Sequence, residues 1–298
     1  MPVAFPGGTG GVRLAVAVAK RAGVKRIFMG TPSWPNHAQI FADVGVAMEG
    51  FNHATPDGAA DMDALRTAIA GAGPDDAVLL HGCCHNPSGI DYSNAEWDEI
   101  AGILADRKVL PILDLAYQGL GHGMDEDAYG TRKVLASVPE ALISQSCDKN
   151  FGQYRDRVGA LYAMMAEPGQ LPLPISNLYA LARANWSQPP DHGAAAVRII
   201  LEDAALTRQW LDELDTMRTR MRQVREQLAA AGRIGQFDLE PVGRQNGLFS
   251  VLPFTQDQIA AMRERHGIYF AGSGRINIAG LTSANIGKFI DALKDVSA

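Results

Sequence analysis

Short apolar segments alternate with helix-type patterns along the first half of this 298-residue chain. Short buried strands that alternate with helices are typical of a mostly parallel sheet with helices on both faces. We therefore predict an α/β fold built on such a sheet. The predicted strands lie at 25–30, 47–51, 77–81, 109–114, 142–144 and 158–163. The predicted helices lie at 12–20, from about 36, and at 61–72, 94–107 and about 128–138.

The second half of the chain has a different pattern. Long helical patterns come first, at 177–194 and 203–231, and the second is rich in Arg and Glu, as expected of a solvated helix face. Two strands (247–252 and 274–279) and two helices (255–266 and 282–296) follow. We predict a large domain at 1–200, a connecting helix at 201–231 and a small C-terminal α+β domain at 232–298.

In a parallel sheet, ligands bind at the carboxyl ends of the strands. This rule selects the loops that begin near Thr31, His81, Asp114 and Ser144. Taken one at a time, their unusual residues have ordinary structural interpretations. Their convergence on one edge of one sheet favours a site. The ordinary interpretations are a core aromatic for Trp34, a turn residue for Asn86, a helix cap for Asp114 and a half-buried packing residue for Tyr117. As members of a site, they would offer an aromatic face, an amide, an acid and a phenol, respectively.

The loop from Ser144 to Gly159 contains a lysine between two apolar strands. One interpretation places Lys149 on the surface, with the arginines paired to acids in water. In the other, Lys149 is an amine nucleophile that forms a Schiff base, with Ser146 and Arg157 binding a phosphate. The residues of this loop alone leave both interpretations open.

A glycine-rich turn, Pro6-Gly-Gly-Thr-Gly-Gly11, precedes the first helical run. Glycines at a helix start let backbone N–H groups converge on an anion. No Gly-Lys-Ser/Thr sequence ends the turn, so it is not a P-loop.

Composition narrows the class of protein. The chain is 47% hydrophobic and carries a net charge of −6, which gives no reason to expect nucleic acid or an anionic membrane as a partner. It has no apolar run long enough for a membrane span and no signal-peptide pattern at its start, so we expect a cytoplasmic location. The three cysteines show no metal-binding spacing, and we predict no metal site.

Together these loops resemble the fold type I, class I pyridoxal-phosphate aminotransferases, and most closely their aspartate/aromatic amino acid group. The resemblance runs from Pro6 to about Leu293. Its motifs here are TPSWPNH, HGCCHNPSG, DLAYQG, KNFGQYRDRVG, RANWSQPP and SGRINIAG.

The resemblance implies a pyridoxal 5′-phosphate cofactor bound at Lys149, with Asp114 against its pyridine nitrogen. Tyr117 and Asn86 would hold the phenolic oxygen, and Trp34 would cover the ring. The phosphate would be held by Gly8, Thr9, Ser146 and Arg157.

The resemblance also implies the substrate contacts. Arg275 would bind the α-carboxylate, with Trp34 and Asn86 nearby. Arg183 would reach a neighbouring subunit's site and pair with a side-chain carboxylate, which implies a homodimer.

The sequence departs from the family in three places. Asp148 precedes the lysine where the family usually has a phosphate-binding serine, and Gln188 replaces the asparagine of a Trp-Ser-Asn-Pro-Pro motif. We also expect a segment to be missing before the glycine turn, which in the family supplies a dimer arm, part of the small domain and a tyrosine that crosses to the partner's phosphate.

We expect a transaminase that uses aspartate or an aromatic amino acid with 2-oxoglutarate. A truncated, weakly active or inactive relative that acts as a binding or pairing protein is one alternative. A β-lyase or decarboxylase on the same fold is another.

Overall fold

In the computed structural model, which describes residues 2–297, a seven-stranded sheet has the strand order β1-β7-β6-β5-β4-β2-β3. Strands β2 to β6 pair in parallel, whereas β7 runs antiparallel to both β6 and β1. The predicted mostly parallel sheet is confirmed. Its strands are β1 (Pro2–Pro6), β2 (Arg26–Thr31), β3 (Ala47–Asn52), β4 (Asp76–His81), β5 (Leu110–Leu115), β6 (Glu140–Ser146) and β7 (Val158–Met165).

Helices cover both faces of this sheet, which explains why its central strands are apolar on both sides. All six residues of β4 are buried. One face packs against α1, α2 and α6 and the other against α3, α4 and α5. These helices are α1 (Gly7–Arg21), α2 (Pro35–Val44), α3 (Met62–Ala70), α4 (Asn94–Arg107), α5 (Tyr129–Ser137) and α6 (Pro172–Trp186).

The glycine-rich turn is the first turn of α1 and not a separate loop, so the prediction of a helix starting at Val12 was too short. A Cβ atom at Gly11 would collide with the ring of Phe5 and the hydroxyl of Ser144. The glycine therefore lets α1 lie directly on β1 and β6. The strand that precedes the turn, β1, was not predicted.

The predicted helix at 177–194 was wrong in its bounds. It begins earlier, at Pro172, and ends at Trp186. Ser187 then adopts a left-handed backbone (φ 62°), and Pro189 and Pro190 follow before α7 (His192–Glu202) begins. Proline cannot continue a helix because it lacks an N–H donor and restricts the residue before it.

The C-terminal part packs around the longest helix, α8 (Ala204–Ala230), whose exposed face carries most of its charges. The buried residues of α8 and the elements after it share one apolar cluster, which extends to Tyr117 and Cys84 at the edge of the large sheet. The remaining elements are β8 (Arg233–Ile234), β9 (Phe237–Asp238), β10 (Phe249–Val251), α9 (Gln256–His266), β11 (Arg275–Asn277) and α10 (Ile286–Val296).

Short β8 and β9 form a two-stranded hairpin that was not predicted. The domain boundaries at residues 200 and 231 stay a prediction. Among residues 2–297, no helix is long and apolar enough to cross a membrane. The expected cytoplasmic location stays a prediction as well.

Candidate active site

A cavity of about 340 Å³ lies where the carboxyl ends of β4, β5 and β6 meet the start of α1. Nine of the eleven predicted site residues line it, and Ser146 and Arg183 do not. The lining residues are Gly8, Thr9, Trp34, Asn36, His81, Asn86, Asp114, Ala116, Tyr117, Asp148, Lys149, Tyr154, Arg157, Phe249 and Arg275.

Asp114 is a buried carboxylate at the end of β5, and its two oxygens differ. Oδ2 lies 3.0 Å from Nε2 of His37, whereas Oδ1 has no hydrogen-bond partner within residues 2–297. Burial alone would raise the pKa of Asp114, but the hydrogen bond from His37 and the nearby positive charge, including that of Lys149, outweigh it and lower the pKa. Asp114 is therefore an anion with one oxygen free to accept a hydrogen bond from a cation.

Four buried histidines form a cluster beside Asp114. Their neighbouring ring centres lie 5.1 Å (His37 and His81), 4.3 Å (His81 and His85) and 3.5 Å (His85 and His53) apart. Burial lowers the pKa of His81 to about 3 and that of His53 to about 4, and it lowers the pKa of His85 well below its usual value. These three imidazoles are therefore neutral near pH 7.

His37 was missed as a site residue. It lies three residues after Trp34 on α2, and its Nδ1 hydrogen-bonds to Ser33, whose hydroxyl also contacts Nε2 of His81. His37 is the last residue of the TPSWPNH motif, from which only Trp34 was predicted as a site residue. The link from His37 to Asp114 holds the carboxylate in place from the side away from the cavity.

Lys149 is half-buried between two phenol rings. Its Nζ lies 5.0 Å from the ring centre of Tyr117 and 5.3 Å from that of Tyr154. Burial lowers the pKa of the Lys149 amine and the charge of Arg157 adds to this, while Asp114 and Asp148 oppose it. A lowered pKa increases the share of neutral amine, which is the nucleophilic form.

Three predicted side chains form a hydrogen-bonded chain across the cavity. The amide of Asn86 donates to the hydroxyl of Tyr117 (3.2 Å) and accepts from Nη1 of Arg275 (3.0 Å). The guanidinium of Arg275 also lies 4.4 Å from the ring centre of Phe249. Burial and the charge of Asp114 raise the pKa of Tyr117, so its phenol stays protonated.

The start of α1 forms one end of the cavity, where Gly8 and Thr9 lie in the first turn. The first N–H groups of a helix have no partner within the helix and attract anions. Ser146 lies beneath Gly8, and its hydroxyl accepts from the backbone N–H of Asp148 at 3.2 Å. Arg157 completes this end and pairs with Asp148.

Trp34 lines the cavity at the start of α2, with its ring edge-on to His37 at 5.0 Å. Arg183 lies elsewhere, on an exposed part of α6. The structure therefore brings Trp34 but not Arg183 to the cavity of the same chain.

Cys83 and Cys84 are adjacent in the sequence, and both carry free, buried thiol groups. A hydrogen bond with Cys84 lowers the pKa of the Cys83 thiol. Burial and the charges of Asp127 and Asp91 outweigh this effect and raise the pKa to about 11. Cys83, Cys84 and Asp127 bring metal-ligand atoms within 4.8 Å of one another, but three backbone N–H groups already bind the Asp127 carboxylate. The expected lack of a metal stays a prediction.

The chain is similar to a known protein family and to several known proteins over nearly its whole length. Residues 2–293 match the family "Aminotransferase class I and II". A tyrosine aminotransferase of Rhizobium meliloti (strain 1021) is 47% identical over 283 residues, which are 95% of this chain and 73% of that protein. The aspartate aminotransferase of Escherichia coli (strain K12) is 38% identical over 296 residues, with coverage of 97% and 74%.

A solved structure gives the same result. An aromatic-amino-acid aminotransferase from Burkholderia pseudomallei, covalently bound to pyridoxal phosphate, superposes with a TM-score of 0.94 at 32% identity. The match covers 100% of this chain and 76% of that one. The chain thus spans about three quarters of the length of these proteins.

Proposed function

The chain belongs to the class I and II aminotransferases, and on that premise we propose that it exchanges an amino group between aspartate or an aromatic amino acid and 2-oxoglutarate, with pyridoxal phosphate held at Lys149. The similar proteins include a tyrosine and an aspartate aminotransferase, which supports both donors. The observation that carries the proposal is one cavity lined by both Lys149 and Asp114, a buried carboxylate whose Oδ1 has no hydrogen-bond partner among residues 2–297.

The donor groups fit pyridoxal phosphate. A buried carboxylate oxygen without a partner suits a protonated ring nitrogen, and the start of α1 suits a phosphate. Asn86 and Tyr117 suit the phenolic oxygen, while Trp34 offers an aromatic surface to the ring. The cavity volume, about 340 Å³, is within the range of small-molecule sites.

When bound, the cofactor's protonated ring withdraws electrons and weakens the bonds to the substrate α-carbon. Asp114 would keep the ring nitrogen protonated, and His37 would keep Asp114 ionised and oriented. Tyr117 and Asn86 would hold the phenolic oxygen. The lowered pKa of Lys149 would let its amine take a proton from the α-carbon and return one during the exchange.

Two arginines would bind the substrate. The guanidinium of Arg275, held by Asn86, would form a two-point contact with the α-carboxylate. Arg183 would bind a side-chain carboxylate in the cavity of a second copy, so the proposal includes a homodimer. Its exposed position on α6 is compatible with this role.

Product analysis tests the proposal. The protein loaded with pyridoxal phosphate should convert aspartate or phenylalanine plus 2-oxoglutarate into glutamate, with one oxo acid formed for each glutamate. Ammonia or pyruvate in place of glutamate would favour the β-lyase alternative, and carbon dioxide together with an amine or alanine would favour the decarboxylase alternative. No product with any donor would favour the binding-protein alternative.

A further inference from the structure

Asp148 and Arg157 form an ion pair at the phosphate end of the cavity. Nη1 of Arg157 donates to Oδ2 of Asp148 and to the carbonyl oxygen of Tyr154 (2.9 Å). Oδ1 of Asp148 accepts from the backbone N–H of Val158 at 3.1 Å. The Asp148 side chain is 2% exposed and that of Arg157 is 34% exposed. The carboxylate is therefore fixed in place, and its charge is poorly shielded by water.

This ion pair packs against the first residue of α1. Gly7 has a left-handed backbone (φ 68°), and a Cβ atom there would lie 2.6 Å from Oδ2 of Asp148. Both Asp148 and Arg157 line the cavity next to Gly8 and Thr9. A buried negative charge thus lies at the helix N-terminus, where a phosphate would otherwise meet positive potential alone.

We propose that Asp148 competes with the phosphate of the bound cofactor for Arg157, and so weakens the protein's hold on pyridoxal phosphate. A phosphate oxygen that approaches Arg157 must share the guanidinium with a fixed carboxylate and is repelled by it. The net charge of the ion pair is zero, so the attraction that remains comes mainly from the N–H groups of α1. The cofactor therefore exchanges with solution, and its phosphate contributes little to binding. This inference rests on the proposed cofactor.

The wild-type protein provides the first test. After removal of any bound cofactor, the dissociation constants of pyridoxal phosphate and pyridoxal are measured by equilibrium dialysis. The 5′-hydroxyl of pyridoxal adds to its own aldehyde in water, so the dissociation constant of pyridoxal is corrected for the fraction with a free aldehyde, and the contribution of Lys149 then cancels in the ratio. We expect pyridoxal phosphate to bind no more than about 10-fold tighter than pyridoxal. A ratio of about 1,000 or more would overturn the inference.

Asp148→Asn provides the second test, because an amide keeps an acceptor for the N–H of Val158 and removes the charge. The variant should bind pyridoxal phosphate roughly 10- to 100-fold tighter, as expected for removal of one nearby like charge. Its affinity for pyridoxal should stay the same. Asp156→Asn is the matched control, since Asp156 lies in the same loop, pairs with exposed His192 and does not line the cavity.

The outcomes separate this inference from the proposed function. Equal or weaker binding of pyridoxal phosphate by folded Asp148→Asn would show that Asp148 supports the phosphate site, which contradicts the inference alone. If neither the wild type nor the variant binds either ligand, the proposed function fails. If the variant does not fold, the wild-type ratio still decides.

Discussion

Nε2 of His37 lies 3.0 Å from Oδ2 of Asp114, whereas Oδ1 of this buried carboxylate has no hydrogen-bond partner in the part of the chain that the structure describes, residues 2–297. The arrangement separates two roles within one side chain. Oδ2 is bound to His37, and we propose that Oδ1 would accept a hydrogen bond from the ring nitrogen of the cofactor.

Asp114→Asn should reduce amino transfer far more than stability. An amide can keep the contact with His37 through its carbonyl oxygen, but it cannot hold a proton on the ring nitrogen. We expect the turnover number to fall roughly 100- to 1,000-fold, as for other lost electrostatic contacts. Urea unfolding should show a loss of less than about 1 kcal/mol, since Oδ1 makes no hydrogen bond within residues 2–297 that could be lost.

Asp127→Asn is the matched control, because Asp127 is also buried but its oxygens accept three backbone N–H groups. It should lose about 1–3 kcal/mol of unfolding free energy. Similar losses of stability and turnover in Asp114→Asn would show that Asp114 is structural.

Arg183→Ala should change the choice of substrate. Removal of one partner of a desolvated ion pair costs about 2–5 kcal/mol, or roughly 30- to several-thousand-fold in apparent affinity. The Michaelis constants for aspartate and 2-oxoglutarate should rise by such factors, while that for phenylalanine changes little. Arg198→Ala, at an exposed position of α7, serves as the control. An equal rise in the Michaelis constants for aspartate and phenylalanine would contradict a role for Arg183 in binding the side-chain carboxylate of the substrate.

The histidine cluster should make stability depend on pH between about 4 and 6.5. The folded-state pKa values of His53 (about 4) and His81 (about 3) lie below the unfolded value, and that of His85 is lowered too. As the pH falls below 6.5, the unfolded chain takes up protons that the folded chain cannot, so stability is lost. Each histidine contributes about 1.4 kcal/mol per pH unit in this range.

Urea midpoints at pH 7 and pH 5 check this expectation, and the midpoint should fall clearly at pH 5. His122→Gln should keep the same fall because His122 is exposed, whereas His53→Asn should reduce it. Equal midpoints at the two pH values would show that the cluster does not titrate on unfolding.

Local signals predicted most of the sheet and its helices. The predicted bounds of α4, 94–107, match the structure, in which Ser93 and Glu96 form a capping box at the start of the helix. Strand β1 was missed because prolines stand at both of its ends, and its pairing with β7 joins residues far apart in the chain. The break after Trp186 was missed although the residues that follow it, Ser187 to Asp191, are polar and include two prolines, which end a helix.

Nine of the eleven predicted site residues line the cavity, but the sequence did not predict their contacts. Strand-end loops selected Asp114 and Lys149, since parallel strands bring their carboxyl ends to one edge. The partner of His37 depends on how α2 packs against β5, which no local pattern specifies. The ion pair between Asp148 and Arg157 likewise depends on the folded conformation of the loop that contains both residues.

Covalent attachment of the cofactor tests the central claim most directly. Protein loaded with pyridoxal phosphate is reduced with borohydride, digested and mapped by mass spectrometry. Lys149 is one of seven lysines, and it is the one that lines the cavity. We predict one adduct per chain, on Lys149, and none in Lys149→Ala. An adduct on another lysine, or an equal yield from Lys149→Ala, would contradict the account.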